Sequence, residues 1–99
     1  MKVNYRGCAI CDSSWGDHWE EVDGERRFFC CALCATQFRN LVERVHRTTG
    51  WDRIDAIEIQ GDRTGRRVEV QSGAGRRTFT VMFTTQGEIL QFREPPVPA

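Results

Sequence analysis

Several features that would assign this chain to a class of protein are missing from its sequence. No apolar run approaches the roughly 20 residues that a transmembrane helix needs, so we expect no membrane span. The formal net charge is zero, with 14 basic and 14 acidic residues, and no overall field attracts nucleic acid or a membrane surface. The start, MKVNYRGC, lacks the apolar segment of a signal peptide, which predicts a cytoplasmic protein with reduced thiols.

Recognisable catalytic groups are missing too. No Ser/His/Asp arrangement stands out, and Gly73–Gly75 is too short for a phosphate-binding loop and does not open a helix. Asp17, Glu20 and Glu21 lie beside His18, but a solvated acidic strand explains them better than acid–base catalysis does. We therefore predict that the protein is not an enzyme.

Five cysteines in two groups are the strongest positive feature. Cys8-x2-Cys11 is followed by Cys30-Cys31-x2-Cys34. Two such turns can surround one tetrahedral metal ion and leave no open coordination position. A closed site stabilises a fold, whereas a catalytic metal keeps one position open. The pattern predicts one structural Zn²⁺ and disfavours a zinc hydrolase.

Other uses of paired cysteines fit this sequence less well. Disulfides are unexpected in a reducing compartment. A redox dithiol belongs at the strand-to-helix junction of a thioredoxin-like βαβ unit, and no such pattern surrounds Cys8. Four thiolates also bind iron, which remains an alternative to zinc. His18 is close enough in sequence to replace one of the sulfurs.

The residues themselves leave the third metal ligand open between Cys30 and Cys31. The segment 26–29 is typical of the outgoing strand of a hairpin that turns at Asp23-Gly24, and a helix pattern follows. The second cysteine group therefore lies where a strand enters a helix, and the positive end of the helix dipole favours thiolates there. Paired with Cys34, Cys30 gives an x3 spacing and Cys31 an x2 spacing.

The segment from Phe28 to Phe38 resembles the aromatic-Cys-x3-Cys-x3-aromatic signature of the TRASH/YHS-type treble-clef zinc fingers. The resemblance covers roughly residues 6–45 and leaves out the insert 15–19 and the C-terminal half. Taken whole, the chain is similar to a small prokaryotic family of zinc-binding proteins with a loop-rich cysteine region beside a sheet flanked by helices. The resemblance implies Cys31 as a spare thiol and the ligand set Cys8, Cys11, Cys30 and Cys34.

A single helix is predicted from Ala32 to about Thr49, and Gly50 is its expected stop. Residues at three- and four-residue steps form one apolar face. His46 falls at the edge of that face, so we expect it at the surface rather than on a metal. The apolar face consists of Leu33, Phe38, Leu41, Val42 and Val45.

Four strands are predicted after Trp51, because apolar and polar residues alternate there. Glycine-rich turns separate the strands, which indicates an antiparallel meander covered by the helix. We predict one α+β domain over residues 1–99. A treble-clef-like, four-cysteine zinc lobe with one main helix (6–50) would pack on a four-stranded antiparallel meander (51–93). A Pro-rich tail (94–99) would follow. The alternating apolar residues are Ile57 and Ile59; Val68 and Val70; Phe79, Val81 and Phe83; and Leu90 and Phe92.

Large apolar side chains in the chain indicate a binding function. Trp15, Trp19 and Trp51 are of the type that anchors protein interfaces, so a protein partner is the leading prediction, with the oligomeric state left open. A second hypothesis is nucleic-acid binding through a basic hairpin, Arg63–Arg77. Its candidate binding residues are Arg66, Arg67, Arg76 and Arg77.

Two further hypotheses come from the family resemblance. TRASH-type fingers are associated with heavy-metal sensing and trafficking, and Cys31 beside the cage could accept a soft ion. YHS-type modules occur alongside hydroxylases and transporters, which suggests an accessory subunit of a larger enzyme.

Overall fold

Seven strands and one helix make up the part of the chain that the structure, a computed structural model, describes: residues 1–62, 64–73 and 75–95. Arg63 of the basic hairpin, Ala74 of the Gly73–Gly75 turn and the last four residues of the Pro-rich tail lie outside this part. The elements are β1 Lys2–Val3, β2 His18–Val22, β3 Glu25–Phe29, α1 Ala32–Thr49, β4 Ala56–Asp62, β5 Gly65–Ser72, β6 Gly75–Phe83 and β7 Ile89–Arg93.

The main sheet corrects the predicted fold class. It has five strands in the order β1-β4-β5-β6-β7, and β1 runs parallel to β4. The described chain is therefore mostly β with a mixed sheet, and the α+β prediction of a four-stranded antiparallel meander packed on a main helix is wrong. The two residues of β1 are too few to show an alternating pattern, which hides this strand in the sequence.

The side chain of Asn4 continues the pairing of β1 with β4 by hydrogen-bonding as a backbone peptide group would. Lys2 donates its N–H to the carbonyl of Asp55 at 3.0 Å. The Asn4 amide then donates to the carbonyl of Ile59 at 3.1 Å and accepts the N–H of the same residue at 2.9 Å. The Asn4 side chain thus satisfies both backbone groups of Ile59, so β4 is paired beyond the end of β1.

Strands β4 to β7 pair antiparallel in chain order. Ile59, Val68 and Phe79 lie opposite one another across β4, β5 and β6, and all three are fully buried. The register shifts between β6 and β7 at Met82/Phe83, where Ile89 and Gln91 are paired and the residue between them is not. That residue, Leu90, was predicted as an inward apolar position, but it is 61% exposed because the bulge breaks the alternation.

A separate hairpin, β2–β3, precedes the helix. Val22 pairs with Glu25 across a two-residue turn, in which Asp23 has φ 56° and Gly24 has φ 83°. Two consecutive positive φ angles characterise a type I′ turn, whose twist matches that of antiparallel strands. The structure therefore shows the turn that Asp23-Gly24 indicated.

The helix lies between this hairpin and the last strand of the sheet. The Phe38 and Phe29 rings are 5.6 Å apart, and the Arg44 guanidinium lies 5.0 Å from the centroid of the Phe92 ring. The helix stops at Gly50, whose N–H donates to the His46 carbonyl at 2.9 Å. No helix in the described residues is long and apolar enough to cross a membrane.

One core joins the helix, the sheet, the hairpin and the cysteine loop. Ala9 and Ile10 of that loop are buried in the same cluster as the inner sheet residues. We expected the helix alone to cover the apolar face of the sheet, but the cysteine loop covers part of it as well. Leu33, predicted on the buried helix face, is 40% exposed because it stands on the first turn, next to the rim of the core. The buried helix residues are Cys34, Ala35, Phe38, Leu41, Val42 and Val45.

His46 connects the helix to the hairpin turn. Its Nδ1 lies 2.7 Å from the carbonyl oxygen of Trp51, and its Nε2 lies 3.0 Å from an Asp23 oxygen. Two acceptors require a proton on each ring nitrogen, which is the imidazolium form. Burial lowers the pKa of His46, but the Trp51 carbonyl and the carboxylates of Asp23 and Asp52 outweigh it and raise the pKa above its ordinary value.

We expect His46→Gln to destabilise the protein by roughly 1 kcal/mol near pH 6 and by less near pH 9. A raised folded-state pKa means that protonation favours the fold, and this contribution is full below the unfolded pKa of about 6.5 and disappears as the pH rises through the folded value. Denaturant unfolding at both pH values, with the same metal content in wild type and variant, measures the difference.

The control is a double-mutant cycle with Asp23→Asn. The coupling energy between the two residues should shrink between pH 6 and pH 9. A coupling energy that stays constant or grows with pH would show that the imidazolium is not the stabilised form.

Candidate metal centre

A tight loop brings the first two cysteines together. Asp12 donates its N–H to the Cys8 carbonyl at 2.9 Å and adopts a left-handed φ of 61°. Its carboxylate Oδ1 accepts the N–H groups of Arg6 and Gly7 at 3.0 and 2.9 Å. The side chain immediately after Cys11 thus closes the loop on itself, so both thiols lie on the same side of it.

The second pair comes from the end of β3 and the start of α1. Cys30 follows the last residue of β3, and Cys34 lies on the first turn of the helix. Ala9 of the first loop donates its N–H to the Phe28 carbonyl at 3.4 Å, which joins the loop to the hairpin. Gly16, with φ 93°, packs against the Cys30 carbonyl, and a Cβ there would overlap that oxygen, so only glycine fits.

Four thiols converge at this point. The Sγ atoms of Cys8, Cys11, Cys30 and Cys34 all lie within 4.8 Å of one another, and the four could hold a metal ion. The Cys30 sulfur is 3.6 Å from that of Cys11 and 3.5 Å from that of Cys34. Tetrahedral zinc with Zn–S bonds of about 2.3 Å needs sulfurs about 3.8 Å apart. The thiols are therefore already close to the spacing of such a site.

Two other candidate ligands lie outside this set. Cys31 is the N-cap residue of the helix, and its sulfur is 3.7 Å from that of Cys30 but does not belong to the cluster of four. His18 has its Nε2 2.5 Å from a Glu20 carboxylate oxygen, so its ring binds an acid of its own strand. All five cysteines are free thiols.

Crowding and burial set the proton affinity of the cluster. A hydrogen bond from Cys34 lowers the pKa of Cys8 to about 4, and the same bond, with burial, raises the pKa of Cys34 far above its usual range. Burial raises the pKa of Cys30 to about 12. The neighbouring thiols thus change one another's proton affinity. A divalent cation that replaces the thiol protons neutralises the thiolates, so metal binding releases protons.

The helix N-terminus acts on the spare thiol. The pKa of Cys31 is lowered, and the largest cause is a hydrogen bond from the N–H of Cys34. Burial alone would raise this pKa, but the Cys30 thiol and the N–H of Leu33 lower it further. Unpaired N–H groups at the start of a helix favour a negative charge.

The tryptophans of the predicted interface differ in exposure. Trp15 is 63% exposed and Trp19 is 48% exposed, and both precede the second cysteine pair. Trp51 is only half-buried at the surface, and it packs against the core after the end of the helix.

Three of the four candidate nucleic-acid-binding arginines are engaged within the chain. Arg66 Nη1 donates to the carbonyls of Ile10 and Gly61, both at 3.2 Å. Arg76 Nε lies 3.4 Å from Glu69, and Arg77 forms an ion pair with Glu94. Arg67 is exposed on the opposite face of β5 from Arg66.

Three residues that support the site were missed by sequence reasoning. Asp12 closes the first loop, Gly16 allows the close approach to Cys30, and Arg66 ties the sheet to the first loop through Ile10. Only Asp12 carried a local signal, since an aspartate directly after a cysteine pair can cap a turn. The other two act through residues distant in the sequence.

Together, a loop, a hairpin and the start of a helix present four thiols that could hold a metal, which is consistent with a small metal-binding module attached to a mixed sheet. The chain belongs to the Ta0938 family, whose family model matches residues 5–95. Neither the curated proteins nor the solved structures gave a match.

We expect Cys30→Ser to weaken zinc binding on the order of 100-fold, and Cys31→Ser to leave it nearly unchanged. The first loss follows if a binding free energy of about 10 kcal/mol is shared among four ligands. Competition with a chromophoric chelator measures both affinities. Zinc lost from Cys31→Ser but kept by Cys30→Ser would assign the third ligand to Cys31.

Proposed function

We propose that this chain is a zinc-stabilised, non-enzymatic interaction module of the cytoplasm whose partner is a protein. The observation that carries the proposal is the position of Trp15 and Trp19, which are exposed on the segment between the two halves of the thiol cluster. The metal would order this segment, and the tryptophans would bind the partner.

Zinc is the metal that this ligand set favours. Four cysteine sulfurs at tetrahedral spacing are typical of structural zinc, and they fill every coordination position of the ion. No position would remain for a substrate or a water nucleophile, which supports a structural role over catalysis. The order of cysteine loop, hairpin and helix start supports a treble-clef-like zinc finger.

The proposed contact surface, the hairpin patch, consists of Trp15, Trp19, Arg26 and Phe28. Trp19 and Phe28 face each other across the hairpin with ring centroids 5.4 Å apart in an edge-to-face arrangement. Arg26 lies over Trp19, 5.1 Å from the ring centroid. Tryptophan and arginine dominate the binding energy of protein interfaces, and stacked side chains lose little conformational entropy when a partner binds.

The arginines give less support to nucleic-acid binding. Three of the four candidate arginines donate to groups within the chain: Arg66, Arg76 and Arg77. The fourth, Arg67, has no partner among the described residues. Phosphate contacts would have to displace the hydrogen bonds of Arg66 and the ion pairs of Arg76 and Arg77. A larger enzyme with this chain as its accessory subunit is a weaker form of the same proposal, because it rests on the family resemblance alone.

A second candidate function is heavy-metal handling. The observation that favours it is the Cys31 sulfur, 3.7 Å from the Cys30 sulfur and next to the cluster of four. Soft ions such as Cu(I) and Hg(II) prefer thiolates, and a fifth thiol in this place could receive one. This function requires that such an ion changes partner binding through Cys31.

We expect the double variant Trp15→Ala/Trp19→Ala to lose its partner in affinity capture from source cells, with the zinc content unchanged. Each truncated anchor should cost about 2 kcal/mol of binding free energy. Leu90→Ala is the matched control, because Leu90 is comparably exposed but lies on β7, and it should capture the partner normally. Cross-linking and mass spectrometry identify what is captured.

Three outcomes would contradict the proposal. The tryptophan variant could retain its partner. Capture could depend on Arg67 with a steep loss of binding at high salt, which is the signature of counterion release from nucleic acid. Capture could also depend on Cys31 and respond to a soft metal, which would establish metal handling.

A further inference from the structure

A cavity of about 360 Å³ opens between the first turns of α1 and one end of the sheet. Leu33 and Gln37 of the helix form one wall, and Met82 and Phe83 at the end of β6 form the opposite wall. Cavities of this size, with apolar walls and a few converging polar groups, are the usual form of a small-molecule site. The cavity is separate from both the thiol cluster and the hairpin patch.

The apolar wall contains a side chain that the fold leaves partly uncovered. Leu33 is 40% exposed although the other apolar residues of its helix face, from Phe38 onward, are buried. A Cβ on Gly87 would lie 3.3 Å from Leu33 Cδ1, so the turn before β7 supports this leucine from one side. An apolar group in the cavity would remove the remaining surface of Leu33 from water.

A guanidinium on the cavity supplies a positive charge. Arg66 uses Nη1 to hold the carbonyls of Ile10 and Gly61, which fixes the side chain in place. Its Nη2 and Nε donate to no group in the part of the chain that the structure describes. A guanidinium held by one nitrogen still presents two parallel N–H groups, which match the two oxygens of a carboxylate.

Two acceptors complement this donor. The Oε1 atom of Gln37 is buried and accepts no hydrogen bond from the described residues. Asp62 lines the same cavity, and among the described residues only its Oδ1 accepts hydrogen bonds, from the N–H and hydroxyl of Thr64 at 2.9 and 2.6 Å. A buried acceptor without a donor costs free energy, and a ligand that donates to it would remove that cost.

We propose that this cavity binds a free apolar α-amino acid. Arg66 would hold its carboxylate, Asp62 and Gln37 would accept hydrogen bonds from its ammonium group, and the side chain would lie against the apolar walls. One positive and one negative group on the cavity fit a zwitterion better than a fatty acid, which has no ammonium group, or a phosphate ester, which Asp62 would repel. The inference does not depend on the proposed protein partner.

The test is a titration of the zinc-loaded 99-residue chain with L-leucine, followed by two-dimensional ¹⁵N NMR. We expect saturable shifts at residues 33–37, 61–66 and 81–85. N-acetyl-leucine lacks the ammonium group and leucinamide lacks the carboxylate, so each should bind at least about tenfold more weakly, the loss expected for one charge-assisted contact. Tighter binding of a peptide ending in leucine than of leucine itself would overturn the proposal in favour of a chain terminus.

Three variants, each with a matched control, locate the binding site. Leu33→Gln, Gln37→Met and Arg66→Gln should each weaken leucine binding by at least about tenfold. The controls Leu90→Gln, Gln60→Met and Arg67→Gln change the same residue types outside the cavity walls named here and should bind normally.

The variants remain informative if one of them fails to fold. Arg66→Gln also removes the hydrogen bond to the Ile10 carbonyl and could disturb the first loop. Within the described part of the chain, neither Leu33 nor Gln37 has a side-chain hydrogen bond to that loop. Gln37→Met should in addition raise the Tm of the free protein, because it removes the orphaned acceptor. Unchanged leucine binding in both helix variants, or no saturable shift in the wild type, would overturn the proposal.

Discussion

Four sulfur atoms within 4.8 Å of one another set the constraint on which the N-terminal half of this chain depends. They come from a short loop, the end of a two-stranded hairpin and the first turn of a helix. A hairpin of two strands is marginally stable by itself, and the loop contains no regular secondary structure. One ion that joins all three would replace the stabilisation that their small contact areas cannot provide.

The cluster is also connected to the sheet. Ala9 and Ile10 are buried in the common core, Ala9 donates to β3, and Arg66 of β5 donates to the Ile10 carbonyl. The first cysteine loop is therefore held from the hairpin and from the sheet at once. His46 adds a third connection through the hairpin turn at Asp23. These links connect the thiol cluster to the sheet and the hairpin to the helix.

The structural features that depend on residues close together in the sequence were predicted correctly. The type I′ turn at Asp23-Gly24, the helix that ends before Gly50 and the alternation in β4 to β6 all follow from backbone preferences and side-chain periods. The misses are nonlocal. The parallel strand β1 forms through contacts with Asp55 and Ile59, more than 50 residues away in the sequence, and the exposure of Leu90 results from a register shift.

The candidate site could be predicted further than the sheet. Cysteine spacing identified Cys8, Cys11 and Cys34, because metal ligands must lie close in space and two turns keep each pair together. Spacing left the remaining thiol open between Cys30 and Cys31, and the family resemblance implied Cys30. The supporting residues could not be found in this way. Gly16 matters only through the Cys30 carbonyl, and Arg66 only through Ile10, so both roles appear when the fold has brought distant segments into contact.

The most direct test of the central claim is removal of the metal, followed by ¹⁵N NMR at neutral pH. Structural zinc contributes on the order of 10 kcal/mol of apparent binding free energy, as much as the whole stability of a small domain. With a strong chelator, residues 6–35 should lose their dispersed signals while part of β4 to β7 keeps them, and added zinc should restore the spectrum. An unchanged spectrum after complete metal removal would contradict the account.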